Sequence, residues 1–120
     1  MKKLLIALLI TVASSKAVYG ANLYCVGEIT NLYVTSSGNL NVRGTWRNNY
    51  TRICNLKGTV NDIDALTCSV WSSYFTAAIN NKKQVRVKYL PAAGVTCATL
   101  ATYNDAPKVN YVMLESEDVL

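Results

Sequence analysis

Four cysteines, Cys25, Cys54, Cys68 and Cys97, set the tightest limit on what this 120-residue chain can fold into. Whether they act as staples, ligands or nucleophiles depends on the compartment, and the N-terminus indicates which compartment that is. Met1, Lys2 and Lys3 form a short positive stretch. Leu4 to Ala13 (LLIALLITVA) is an apolar run, and Ser14, Ser15, Lys16 and Ala17 close it with small and polar residues. This is the three-part layout of a secretory signal. The run is far shorter than the roughly 20 residues that a permanent membrane helix needs, so no permanent membrane anchor is expected. Val18-Tyr19-Gly20 before Ala21 suits signal cleavage, with cuts after Ala17 or Ala21 as the alternatives. Tyr24, directly before Cys25, is too bulky for a lipidation signal. The short n-region points to bacterial, Sec-type export, and the expected location is periplasmic or secreted. There, an even set of cysteines reads as two disulfides. A metal site is disfavoured because the spacings of 29, 14 and 29 residues contain no C-x-x-C pair and the chain has no histidine. Four cysteines allow three pairings, and spacing does not choose among them.

Export also changes the reading of charge. The chain carries twelve basic and seven acidic residues, a formal net charge of +5. Lys2, Lys3 and Lys16 belong to the signal, which leaves nine basic against seven acidic residues and a net charge of +2. So small an excess argues against a nucleic-acid partner. The expected organisation is a signal peptide at 1–20, one domain at 21–114 and an acidic tail at 115–120. A domain of roughly 100 residues holds one core and benefits from covalent staples.

Along the mature chain, Leu23 to Val34 is rich in Tyr, Val, Ile and Leu and reads as a strand, with Gly27 marking a bend. Ser36-Ser37-Gly38-Asn39 is a turn, and Leu40 to Trp46 alternates with Leu40, Val42, Gly44 and Trp46 on one face and Asn41, Arg43 and Thr45 on the other. After the Arg47-Asn48-Asn49 turn, Tyr50 to Leu56 is a third strand. The period then changes. Trp71, Tyr74, Phe75, Ala78 and Ile79 fall at helical spacing between Asp64 and Asn80, with Asp64 or Thr67 as cap. Val85 to Tyr89 and Val109 to Leu114 supply two more strands. The resulting fold class is mainly β, in the order β-β-β-α-β-β. That order is the arrangement of a small OB-fold-like five-stranded barrel with one helix. A different small α+β sheet with one helix packed across it is the alternative.

Catalysis finds little support. The missing histidine removes the commonest general base and the usual nucleophile partner. Bridged cysteines supply no thiolate. Asp62 and Asp64 flank a helix start, where capping is their ordinary role. No catalytic residue, metal or cofactor is expected. The aromatic residues are the better lead: Trp46, Tyr50, Trp71, Tyr74, Tyr89, Tyr103 and Tyr111. Trp46-Arg47-Asn48-Asn49-Tyr50 brings rings and polar groups into one turn, so Trp46, Arg47, Asn49 and Tyr50 are candidate ligand-binding residues. Trp71 is expected to pack the helix onto the sheet.

Tyr50-Thr51-Arg52-Ile53-Cys54, Cys68-Ser69-Val70-Trp71 and Lys83-Gln84-Val85-Arg86-Val87-Lys88-Tyr89 together resemble the B subunits of AB5 bacterial toxins of the subtilase-cytotoxin and typhoid-toxin type. The matching stretch covers about 40 residues of the chain, and the cysteine-rich ending of the subtilase-type subunits is missing. The resemblance implies an OB-fold, glycan binding and assembly into a homo-oligomer, a pentamer in the toxin-like case. It also implies the bridges Cys54–Cys68 and Cys25–Cys97, and a serine near the glycan, for which Ser72 and Ser73 are the candidates. The function expected is that of a secreted, non-enzymatic, glycan-binding module. The alternative is a periplasmic protein-interaction domain, such as a hydrolase inhibitor or an accessory subunit. N-terminal sequencing of the exported protein is expected to begin at Ala21; a protein retaining Met1 would contradict the export reading.

Overall fold

The computed structural model describes residues 21–115. The expected signal at 1–20 and residues 116–120 of the acidic tail lie outside the described residues. The chain order is β1 (Leu23–Val34), β2 (Asn39–Gly44), β3 (Thr51–Asn55), α1 (Ala65–Asn81), β4 (Gln84–Tyr89) and β5 (Val109–Leu114). The mainly β, one-helix order read from the sequence is therefore observed, and no described helix is long and apolar enough to cross a membrane.

The five strands form one antiparallel sheet in the order β3-β2-β1-β4-β5. β1 is central because it is long enough to serve two partners. Leu23 to Glu28 pair with β4, and Ile29 to Val34 pair with β2, with an irregularity between Ile29 and Asn31. The extra residue lets the strand bend where it changes partner. The sheet is not closed. β3 and β5 stay at its two edges, and the nearest approach to closure is an isolated parallel bridge between Thr51 and Tyr103. The closed barrel expected from the element order is thus observed only as an open sheet. β3 is five residues long, and the segment ahead of β5 reaches it at one point rather than along a ladder.

The inner face is apolar. Cys25, Ile29, Leu40, Val42, Ile53, Val85, Val87 and Tyr89 are buried there, and α1 covers them with Cys68, Trp71, Phe75 and Ala78. Trp71 packs the helix onto the sheet, as its spacing suggested. The Asp64 carboxylate accepts from the Thr67 N–H at 2.8 Å, one of the two caps expected. That hydrogen bond lowers the Asp64 pKa. Lys82 ends the helix in a left-handed conformation, its N–H donating back to Ala78 and Ile79.

A bulge in β3 gives the core its staple. Leu40 pairs with Cys54 but Asn41 pairs with Arg52, so Ile53 is the extra residue. Strict alternation would turn Cys54 away from Ile53's side; the bulge lets both point inward. Cys54 then reaches Cys68 on α1, with the Cα atoms 5.6 Å apart, and Cys25 on β1 bridges Cys97, with 5.8 Å between Cα atoms. These are the two bridges that the resemblance implied. Loops of 14 and 72 residues correspond to roughly 3 and 4 kcal/mol of restriction on the unfolded chain. Two structural disulfides fit an extracytoplasmic protein.

Tyr89 is the largest fully buried side chain. Its hydroxyl meets the Thr51 hydroxyl at 2.9 Å. Burial pushes its pKa up to about 12, against the smaller lowering effect of hydrogen bonds from Thr51 and Trp46. The unfolded phenol titrates near 10, so the stability tied to its neutral form is complete below pH 10 and is lost as pH rises through about 12. The loss should amount to about 2–3 kcal/mol. Urea unfolding between pH 9 and 12 is expected to show it, and Tyr89→Phe is expected to remove that part of the alkaline decline.

Candidate functional site

Opposite residues of an antiparallel pair place their side chains on the same face. On the outer face of β1, β2 and β3, Asn31 lies opposite Arg43, Tyr33 opposite Asn41, and Asn41 opposite Arg52. The same bulge that turns Cys54 inward therefore sets Arg52 beside Asn41 on the outside. Tyr50 leads into β3 and its ring meets the Tyr33 ring edge-on, with centroids 5.0 Å apart. Tyr33 is on β1 and Tyr50 belongs to the β3 side, so their contact crosses the intervening β2 strand. Adjacent strands lie about 4.8 Å apart, which means that the two rings meet above β2 and its Asn41.

Tyr103 completes the group. Its ring lies 6.1 Å from that of Tyr50. Its backbone donates to Tyr50 O at 2.8 Å and accepts from Arg52 N at 3.2 Å. Tyr103 adopts a φ of 52°, a left-handed conformation uncommon for a tyrosine. These backbone bonds hold it there, with the residue 44% exposed beside Tyr50. Tyr33 is 40% exposed. The result is a row of three tyrosines on the surface, bordered by Arg43 and Arg52. Arg43 donates to Asn48 Oδ1 at 2.5 Å, and Arg52 has a long contact of 3.5 Å with Asn104 O.

Beneath the rings sits an unsatisfied group. Asn41 is only 4% exposed, and its Oδ1 is buried without a hydrogen-bond partner. Sequence alternation placed Asn41 on the polar outer face, which is where it lies. It is nonetheless buried there, with Tyr33 and Arg52 opposite it on the two neighbouring strands. An unpaired buried acceptor costs about 1–3 kcal/mol of stability.

The residues expected from sequence to bind ligand are distributed differently. Tyr50 is in the tyrosine row. Trp46, four residues earlier, folds back from the turn after β2 and packs against the core. Its ring lies so close over Gly44 that a Cβ there would come within 2.5–2.8 Å of three ring atoms. Gly27 likewise accepts Trp46 and Thr45 against its bare Cα. Arg47 Nε donates to Leu100 O at 3.0 Å, tying the turn to the core, and Asn49 Oδ1 accepts from Tyr50 N at 2.8 Å. Ser73 donates to Val70 O at 2.6 Å within α1, and Ser72 is half-buried on the same helix. Neither serine is on the outer face of the sheet. Sequence reading missed Tyr33, Asn41, Arg43 and Arg52 as site residues. The register of the β1–β2 hairpin is the signal that places Tyr33 against Asn41.

The other half of the outer face differs in chemistry. Lys88 lies between Tyr24 and Tyr111, 5.6 and 5.9 Å from their ring centroids. An open groove of about 590 Å³ between α1 and β5 is lined by Tyr74, Tyr111, Val112, Met113 and Leu114. It offers apolar surface with few polar groups. Among the described residues, no group of three His, Cys, Asp or Glu could hold a metal ion.

The close fit of Trp46 makes a stability prediction. Gly44→Ala is expected to cost about 1–3 kcal/mol in urea unfolding through overpacking. Gly58→Ala, where an added Cβ meets nothing within 4 Å, should change little. Comparison of the chain with protein-family models, with curated proteins and with solved structures found no match.

Proposed function

We propose that this is a secreted, non-enzymatic carbohydrate-binding module, and that the Tyr33–Tyr50–Tyr103 row is its binding face. The observation that carries this reading is the row itself: three tyrosines brought from three separate segments onto one exposed surface, over a buried unpaired amide oxygen. Aromatic faces carry partial negative charge, which suits the weakly positive C–H face of a sugar ring. Phenol and guanidinium groups around the row can meet its hydroxyls. Tyrosine also supplies rigid contact area at low entropy cost.

The fold reading is compatible with this function. The strand order β3-β2-β1-β4-β5, with β3 and the approach to β5 linked at Thr51 and Tyr103, is what a partly open OB-type barrel would give. OB-folds bind oligosaccharides on the face of their second and third strands, and Asn41, Arg43 and Arg52 belong to those strands here. The resemblance to AB5-type B subunits points to the same class of ligand and to a homo-oligomer.

A second reading has its own observation. The apolar groove beside the edge strand β5 is suited to a protein partner, as the periplasmic inhibitor or accessory-subunit reading requires.

The two separate on a glycan array and on a pull-down from periplasmic extract. The carbohydrate reading expects the oxidised mature protein to be retained by glycans. Tyr50→Ala and Tyr33→Ala should each weaken retention at least tenfold while keeping a cooperative thermal transition. Met113→Ala should leave retention unchanged. Absence of retention on any glycan, with one stoichiometric protein captured through the β5 groove, would replace this reading with the second.

A further inference from the structure

We propose that Asn41 selects the ligand at the tyrosine face, its buried Oδ1 accepting a hydrogen bond from a hydroxyl of a saccharide. This inference rests on the carbohydrate-binding reading and adds to it the group that reads the sugar's hydroxyl. Asn41 is 4% exposed, and its Oδ1 has no partner. Buried acceptors are ordinarily paired, and an unpaired one marks a place where a donor belongs. The neighbouring groups narrow what that donor can be.

The donor must fit beneath aromatic rings, because the Tyr33 and Tyr50 rings meet above β2. It must therefore belong to a molecule that also has an apolar face. Arg43 and Arg52 share the outer face with Asn41, so an ammonium donor would be repelled. A carboxylate oxygen is an acceptor and cannot be the group that meets Asn41 Oδ1, although elsewhere on a sugar it would suit Arg43 and Arg52. A sugar meets both conditions, because its hydroxyl donates to Oδ1 while its C–H face lies against tyrosine. Its remaining hydroxyls can accept from Arg52, whose contact with Asn104 O is long at 3.5 Å.

Access to Oδ1 requires the Tyr50 ring to turn aside. Tyr33 and Tyr103, its two ring neighbours, are both exposed. Tyr50 thus acts as a cover over Asn41 in the free protein and as a wall of the site when sugar is bound.

The test is calorimetric titration of the oxidised mature protein with methyl glycosides of neutral hexoses and with the corresponding uronic acids. Wild-type protein is expected to bind at least one of these glycosides. Asn41→Leu, of similar shape but without the acceptor, should weaken binding at least tenfold while its melting midpoint stays equal or rises. That pairing separates a ligand-selecting residue from a structural one, since removing a structural hydrogen bond would lower the midpoint. If Asn41→Leu does not fold, the side-chain amide resonance of Asn41 in ¹⁵N-labelled wild-type protein is the readout, and it should move on titration with the bound glycoside. Glycosides bound within twofold by wild type and Asn41→Leu, or an Asn41 amide that does not move, would overturn the inference and leave the carbohydrate reading standing. No saccharide bound by the wild-type protein would overturn both.

Discussion

The extra residue Ile53 in β3 governs both sides of this sheet. On the inner side it lets Ile53 and Cys54 point into the core in succession, so that the strand carries both a packing residue and a disulfide to α1. On the outer side it brings Arg52 level with Asn41 and leaves Tyr50 free to lean across β2 to Tyr33. A regular β3 would have to give up one of these arrangements, because in a strand with period two a shift of one residue exchanges the faces. The staple and the proposed binding face therefore depend on the same local irregularity.

Two aromatic residues four positions apart illustrate how the fold divides its work. Trp46 folds inward over Gly44 and Gly27 and packs on the core at the bend of β1. Tyr50 turns outward to join Tyr33 and Tyr103. Between them, Arg47 anchors the turn on Leu100 and Asn49 holds the backbone of Tyr50. The polar residues of this turn are thus occupied in presenting the ring, and the proposed contacts to ligand fall to Tyr50 and to residues of other strands. Asn41 shows the cost of the arrangement. Its unpaired oxygen takes about 1–3 kcal/mol from a small domain, while two disulfides of typically 2–4 kcal/mol each more than offset the loss.

The elements were legible in the sequence because each has a strong local cause. Leu40 and Val42 alternate, Phe75 and Ala78 repeat at helical spacing, and Asp64 stands where a cap is needed. The disulfide pairing was not legible from spacing, because it depends on a bulge that no residue type announces in Thr51–Asn55. The proposed binding face was legible as such only at Tyr50. Tyr33, Asn41 and Arg52 come from three strands and meet through register, and the local pattern of each resembles an ordinary outward position. Trp46 misled for a different reason: the composition of its turn made it a ligand candidate, whereas its ring doubles back over Gly44 onto the core, the side on which alternation had set it with Leu40 and Val42.

The central claim is that the outer face of β1, β2 and β3 is where ligand binds. Backbone chemical-shift mapping with a retained saccharide tests it most directly. The account predicts that perturbations cluster at residues 31–33, 41–43, 50–52 and 103, on one surface assembled from distant parts of the chain. Perturbations centred on α1 near Ser72 and Ser73, or along the groove at Tyr111 to Leu114, would contradict it.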